Sequence, residues 1–257
     1  MKRNSATLKM TAMEYLSGKF GVPIVALLVL ELCRLVPAML INSTMDSTTT
    51  LGIITSQLLV YMVSLLLAVV GAGYYKLMLN LSRREVFSVK DLFYAFSHHP
   101  DRFLIVHLIL LLIQFVVTLP LDLTIYMDKS MSATTTLMIT LVSTMVTSLV
   151  NVILSLFFGL ADFLMIDNAD MGAMEAMKTS LRLLKGNRGR LFRLYLSFLP
   201  LAILCVFTCY VGFLWMMPYM LATETVFYMD IIGELDNPKP RTESTGPNPY
   251  DTPYGPY

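Results

Sequence analysis

Long uncharged apolar runs dominate this chain and restrict how it can fold. Six runs of about twenty residues carry few or no charged side chains, and about twenty apolar residues in a helix cross the hydrocarbon core of a bilayer. Backbone polar groups in hydrocarbon must bond to one another, which a helix achieves within itself. The sequence therefore predicts an all-α membrane protein with six transmembrane helices, at residues 20–41, 51–75, 103–126, 137–161, 191–210 and 213–232.

The composition agrees with a bilayer as the solvent. Hydrophobic residues make up 56% of the 257 residues and charged residues only 14%, whereas soluble domains are about 25% charged. The formal net charge of +1 provides no excess of positive charge for a polyanion, so nucleic acid is not expected as a partner. Membrane lipids are the expected surroundings.

The basic residues fall on one side of the predicted spans. All but two of the 19 Lys and Arg residues lie at the N-terminus, after the second run, between the fourth run and the first turn of the fifth, or after the sixth. The two exceptions are Arg34, inside the first run, and Lys129. Because Lys and Arg in short loops stay in the cytoplasm, both chain ends are predicted to be cytoplasmic.

Each pair of spans follows a short amphipathic segment on the predicted cytoplasmic side. The three segments lie near residues 5–16, 88–96 and 170–184, and helices of this kind lie in the membrane interface. The six spans are therefore predicted to form three hairpins, each preceded by a cytoplasmic interfacial helix. Polar residues around the third segment form a predicted cytoplasmic elbow, which consists of Asp167, Asn168, Lys185, Gly186, Asn187 and Arg190.

Four polar residues from four spans are candidates for one site near the middle of the membrane. At 1.5 Å per residue, Glu31, Gln114, Asn151 and Glu224 each lie roughly 13–16 Å from the cytoplasmic start of their span. Polar groups inside a membrane are costly, which makes them functional candidates. Arg34, three residues after Glu31, can pair with it on one helix face. The structural alternatives are therefore a self-satisfied ion pair or an Arg34 that reaches outward toward Asp122.

No motif in the sequence predicts a reaction, a metal or a cofactor. The sequence contains no Walker loop, no GxGxxG and no HExxH. The group His98, His99 and Asp101 fits no established metal-ligand spacing and is interpreted as a solvated loop. His107 is interpreted as a lone histidine near the interface, and no enzymatic activity is predicted.

The C-terminal tail differs in composition from the rest of the chain. The sequence predicts an N-terminal cytoplasmic segment at 1–19, a membrane domain at 20–233 and a tail at 234–257. From Asn237 the tail is rich in Pro, Gly, Ser and Thr, and such a segment cannot bury enough apolar surface to fold alone. Three Pro-Tyr pairs in the tail favour, as an alternative to plain disorder, a docking peptide for a protein partner.

Several short matches point to a known family. They include Asp167-Asn168, Glu175-Ala176, Lys185-Gly186-Asn187, Arg190 and the N-terminal residues 16–21. In these residues the chain resembles an uncharacterised family of bacterial integral membrane proteins, catalogued as domain of unknown function nine-seven-five. It departs from the family at Ala169, where the family favours proline.

The resemblance implies a multi-pass protein of the bacterial cytoplasmic membrane with no known activity. The family is distantly similar to the membrane domain fused to some glycerophosphodiester phosphodiesterases, which points to lipid-linked biology by analogy alone. Two functions are therefore kept as hypotheses. The first is a membrane scaffold or accessory module, and the alternative is a transporter or lipid-handling protein that uses the midplane polar residues.

Overall fold

The computed structural model describes residues 3–45, 49–127 and 132–237, and every regular element in them is helical. The elements are α1 (Ser5–Leu16), α2 (Gly21–Thr44), α3 (Thr50–Ser82), a 3₁₀ turn (Val89–Phe93), α4 (Tyr94–Ser97), α5 (Pro100–Met127), α6 (Ala133–Phe158), α7 (Ala161–Asp167), α8 (Ala173–Leu184), α9 (Arg188–Leu196), α10 (Leu199–Phe207) and α11 (Phe213–Ile231). The predicted all-α class is confirmed for this part of the chain.

Five helical stretches of the described chain are long and apolar enough to cross a membrane. They are Gly21–Thr44, Ile54–Ser82, Pro100–Pro120, Ala133–Asp167 and Arg188–Phe207. The sixth predicted span corresponds to α11, a helix of 19 residues that is not one of these five. Polar residues, among them Thr223, Glu224 and Thr225, interrupt its apolar sequence.

Two of the predicted spans are interrupted rather than continuous. A turn at residues 159–160 separates α6 from α7, and a turn at residues 197–198 separates α9 from α10. The second interruption has a local cause, because Pro200 lies in the first turn of α10. Proline has no backbone N–H to donate to the carbonyl four residues earlier. The fifth predicted span is therefore divided into α9 and α10, within a stretch, Arg188–Phe207, that is still long and apolar enough to cross a membrane.

The described residues form two compact units that share the long helices α2 and α3. The first unit comprises Met1–Leu32, Val70–His98 and Gly186–Tyr257, and the second comprises Cys33–Val69 and His99–Lys185. The predicted division of the chain at residues 19 and 233 stays a prediction. The tail that begins at 234 is described only as far as Asn237.

In the first unit, α1 is part of the packed core. Leu8, Ala12 and Leu16 are spaced four residues apart and are fully buried, and α1 packs against α9 and α11. The 3₁₀ turn also packs closely, since a Cβ atom added at Gly73 of α3 would lie 2.1 Å from the carbonyl oxygen of Leu92. The lack of a side chain at Gly73 allows this approach.

In the second unit, α8 packs against α5, α6 and α7. Its buried face is made of Ala173, Ala176, Met177, Ser180 and Leu184. Met174 of the same helix is exposed. Small residues, rather than the methionines alone, therefore face the neighbouring helices, because they let helix backbones approach closely.

Candidate functional site

The two units divide the predicted midplane residues between them. Glu31 and Glu224 belong to the first unit, whereas Arg34, Gln114 and Asn151 belong to the second. Glu31 is half-buried and Arg34 is exposed on α2. The midplane site stays a prediction, and each of its other members has its own surroundings.

Glu224 is buried in α11 and accepts a hydrogen bond from a neighbouring helix of the first unit. The hydroxyl group of Tyr195, on α9, donates to its carboxylate at 2.8 Å. The sequence did not identify this tyrosine as a partner of Glu224. A hydroxyl donor offsets part of the cost of burying a carboxyl group.

Gln114, on α5, carries a side-chain amide that is shielded from solvent. Its Oε1 and Nε2 atoms are buried and have no hydrogen-bond partner among the described residues. An unsatisfied buried polar group costs about 1–3 kcal/mol, so it calls for a water molecule or a ligand group as its partner. Gln114 is thus a candidate binding residue in its own right.

Asn151 lies on a face of α6 that carries hydroxyl side chains at helical spacing. Thr140, Thr144 and Ser148 precede it at intervals of three and four residues, and each donates at 2.8 Å to the carbonyl four residues earlier. Asn151 is exposed, and no described residue accepts from or donates to its amide. We call this face the α6 polar face. It carries the Asn151 amide, to which no described residue is hydrogen-bonded, beside three hydroxyl groups that are already hydrogen-bonded to the backbone.

A cluster of opposite charges surrounds Asp230 at the C-terminal end of α11. Its carboxylate accepts from Arg3 Nη1 at 3.1 Å and from Arg190 Nη2 at 2.5 Å. Arg190 also donates to Asn187 Oδ1 at 3.2 Å and to the carbonyl of Arg3 at 2.7 Å. The predicted elbow residues Asn187 and Arg190 thus lie together, but Asp230 and Arg3 were not identified from the sequence.

A second ion pair of the first unit holds the end of α3. Arg83 donates through Nε and one Nη atom to the two carboxylate oxygens of Glu234, each at 2.7 Å. Both side chains are largely buried. Such a two-bond arrangement fixes the relative orientation of guanidinium and carboxylate.

The elbow residues Lys185 and Gly186 end α8 as the sequence predicts. Lys185 is the C-terminal cap residue of the helix, and Gly186 follows with a φ of +88°. That backbone conformation strains residues that have a Cβ atom and favours glycine. The role of these two residues is therefore structural in the described geometry.

The other end of the elbow is fixed by a residue that the sequence did not single out. Arg102, on α5, donates through Nη1 to the carbonyls of Asn168, Ala169 and Met171 at 3.1, 2.6 and 3.1 Å. Asp167 is the last residue of α7, and Asn168 caps it. A cation is stabilising at a helix C-terminus, where carbonyl groups lack helical partners.

His107 is not a lone histidine, contrary to the sequence-based interpretation. Its Nε2 lies 3.7 Å from Oδ2 of Asp162 in the second unit, and its Nδ1 lies 3.1 Å from the carbonyl oxygen of Phe103. Since a carbonyl only accepts, Nδ1 carries a proton, and Nε2 is directed at the carboxyl group. Oδ1 of Asp162 is buried without a hydrogen-bond partner in the described ranges.

Within residues 3–45, 49–127 and 132–237, no group of three or more His, Cys, Asp or Glu side chains is placed to hold a metal ion. Comparison with curated proteins and with solved structures finds no match. One family profile, described as Protein of unknown function (DUF975), matches residues 1–234. The match covers both compact units and confirms the resemblance first found in the short motifs. The chain therefore belongs to this family of proteins of unknown function.

Proposed function

We propose that this chain is a non-enzymatic scaffold or accessory module of the bacterial cytoplasmic membrane. In this proposal it spans the membrane six times as three hairpins, and both termini are cytoplasmic. The one-sided distribution of Lys and Arg supports that orientation. The tail at 234–257 serves as a further docking segment for a protein partner.

One observation carries the scaffold proposal, namely the free amide of Asn151 on the α6 polar face. An amide that faces hydrocarbon without a partner is costly. A hydrogen bond to a polar side chain of another membrane helix removes that cost and contributes about 0.6–2 kcal/mol. The hydroxyl residues Thr140, Thr144 and Ser148 are small enough to let a second helix approach. A helix of another protein, docked along this face, satisfies both requirements.

The test uses a photo-crosslinking amino acid placed in the full-length chain in native membranes. At Thr144, on the α6 polar face, we expect a discrete crosslinked product that disappears when Asn151 is replaced by Leu. The matched control is the same label at Val142, which is also exposed but lies on a different side of α6. Equal products at both positions, or a product indifferent to Asn151→Leu, would contradict the proposal.

The buried amide of Gln114 favours lipid handling or transport as a second candidate function. Its two buried atoms have no partner among the described residues, and such atoms are commonly satisfied by a bound water molecule or by a polar group of a ligand. Reconstituted protein would then move a fluorescently labelled phospholipid between leaflets, and Gln114→Leu would abolish that movement. The candidate fails if wild-type protein leaves the labelled lipid in its original leaflet.

A further inference from the structure

An apolar groove opens on the first unit between α1, α10 and α11. It has a volume of about 460 Å³, and its lining includes Met13, Leu204, Cys205, Trp215 and Tyr219. Ligand-binding pockets of small molecules commonly enclose roughly 300–1,000 Å³. The groove is therefore large enough for a ligand, and its lining requires that the ligand be mostly apolar.

The rim of this groove consists of large apolar side chains that the chain itself leaves uncovered. Met13 is 50%, Leu204 is 59% and Trp215 is 52% exposed. Exposed apolar side chains that line one concave surface are typical of a binding site. Because α10 belongs to a stretch apolar enough to cross a membrane, the hydrocarbon chains of membrane lipids are the apolar molecules available to the groove.

A cation without a counter-ion lies beside one end of the groove. Lys9, one helical turn before Met13, donates to the carbonyl of Ser197 at 2.8 Å, and its Nζ lies 3.9 Å from the ring centroid of Phe198. The ring of Phe198 meets the ring of Tyr219 edge-on at 5.3 Å. Tyr219, which lines the groove, also donates to the carbonyl of Lys9 at 3.4 Å.

No carboxylate in the described part of the chain pairs with Lys9. Its ammonium group has three protons, and the hydrogen bond to the Ser197 carbonyl occupies one of them. Partial burial also lowers the pKa of Lys9 below its usual value. A partly buried cation that lacks an acidic partner is a position at which an anionic group binds favourably.

We propose that this groove binds one acyl chain of an anionic phospholipid, whose phosphate group accepts from the Lys9 ammonium. The apolar lining selects the hydrocarbon chain, and Lys9 selects the negative headgroup. This inference is independent of the α6 polar face, which lies in the other unit. It assigns to α1 a role in lipid binding in addition to its role in the core.

The test exploits the fact that Trp215 is the only tryptophan of the chain. Full-length protein in phosphatidylcholine nanodiscs is titrated with small mole fractions of brominated phosphatidylglycerol or brominated phosphatidylcholine, and tryptophan fluorescence is followed. Bromine on a chain in the groove quenches Trp215. One basic residue near a membrane surface favours anionic lipid by about fivefold. We therefore expect saturable quenching by the brominated phosphatidylglycerol at about one-fifth of the mole fraction that the zwitterionic lipid requires.

Three variants separate the headgroup contact from general effects. In Lys9→Gln, we expect the quenching curve for brominated phosphatidylglycerol to coincide with the curve for brominated phosphatidylcholine. In Lys9→Arg, the two quenching curves should stay separate. Lys19→Gln is the matched control, because the Lys19 ammonium group lies 6.0 Å from the ring centroid of Phe87, a residue that does not line the groove. Leu204→Phe fills the exposed rim and reduces quenching by both lipids.

Several outcomes overturn the proposal. Coincident curves for the two lipids in the wild-type protein would remove the headgroup role of Lys9. The same conclusion follows if Lys9→Gln and Lys9→Arg both keep the wild-type preference for phosphatidylglycerol over phosphatidylcholine. Stronger saturable quenching by brominated stearate than by the brominated phosphatidylglycerol would identify a free fatty acid as the ligand and reject the phospholipid. Any one of these results leaves the scaffold proposal, which rests on α6, unaffected.

Discussion

The Asp230 cluster provides the sharpest test of how the first unit is held together. The Asp230 side chain is only 2% exposed and accepts from both Arg3 and Arg190. Asp230→Asn keeps the size of the side chain and one acceptor oxygen but removes the negative charge. Arg190 then loses the carboxylate that it binds, whereas Arg3 retains Asp236 at 2.8 Å.

The expected loss follows from the exposure of the two arginines. Arg190 is 17% exposed, and a hydrogen bond to a charged group at a mostly buried site contributes about 1.5–3 kcal/mol. Arg3 is 28% exposed, so water can replace its partner, and its share is about 0–1 kcal/mol. Asp230→Asn should therefore lower the free energy of unfolding by about 1.5–4 kcal/mol. For a chain of this size that corresponds to a drop in Tm of about 3–16 °C.

The assay is thermal unfolding of purified protein in one detergent, with hydrogen exchange of the α1 amides as a second readout. The matched control is Asp236→Asn, since Asp236 binds the same Arg3 at 2.8 Å but is half-exposed, and no measurable change is expected there. In Asp230→Asn, the amides of α1 should also exchange hydrogen faster than in the wild-type protein, because Arg3 lies just before that helix. If Asp230→Asn and Asp236→Asn have the same Tm, then water screens the arginines and the buried cluster does not stabilise the unit.

Other parts of the first unit give three further predictions. Arg83→Gln should lower the free energy of unfolding by about 3–5 kcal/mol, because it leaves a buried carboxylate unpaired. Arg84→Gln breaks an exposed pair and should lower it by less than about 1 kcal/mol. Chemical denaturation measures both values. Gly73→Ala should severely destabilise the protein, because its Cβ would overlap a backbone carbonyl, whereas Gly71→Ala meets nothing within 4 Å and should raise Tm. Burial lowers the pKa of Lys9 below its ordinary 10.5, so the unfolded chain binds more protons between the lowered value and 10.5. The free energy of unfolding should therefore rise with pH across that window, and the Lys9→Gln variant should lack this rise.

The sequence predicts local features of this protein well. The first amphipathic segment, expected near residues 5–16, is α1 over Ser5–Leu16, and Gly186 has the positive φ that its position after a helix predicts. Both follow from neighbouring residues alone, namely from periodicity and from the conformational freedom of glycine. The apolar helices are predictable for the same reason, since hydropathy is a property of a continuous stretch.

Contacts between distant residues were not predictable in the same way. His107 and Asp162 come from different helices, and the rotation of each helix about its axis decides whether they face each other. The same holds for Arg3, which is separated from Asp230 by almost the whole chain. One signal was available for Asp162, because it is a carboxylate within the long apolar stretch Ala133–Asp167, where an ionisable residue requires a partner.

The interrupted helices explain what two of the amphipathic segments contribute. Each interruption leaves backbone groups without helical partners, which is costly away from water. In the second unit, Ser180 of α8 donates to the Phe157 carbonyl at 3.1 Å and accepts from the Leu160 N–H at 3.3 Å, on either side of the turn between α6 and α7.

In the first unit, Lys9 of α1 donates to the Ser197 carbonyl at the turn between α9 and α10. Segments that the sequence assigns to the membrane surface thus also supply the missing hydrogen-bond partners of broken apolar helices. The positions of Ser180 and Lys9 therefore tolerate only side chains that can form hydrogen bonds. Lys9 differs from Ser180 because it also carries a charge, which lies over the Phe198 ring at 3.9 Å. That contact supplies no negative charge, and the proposed anionic headgroup would supply one beside the same ammonium group.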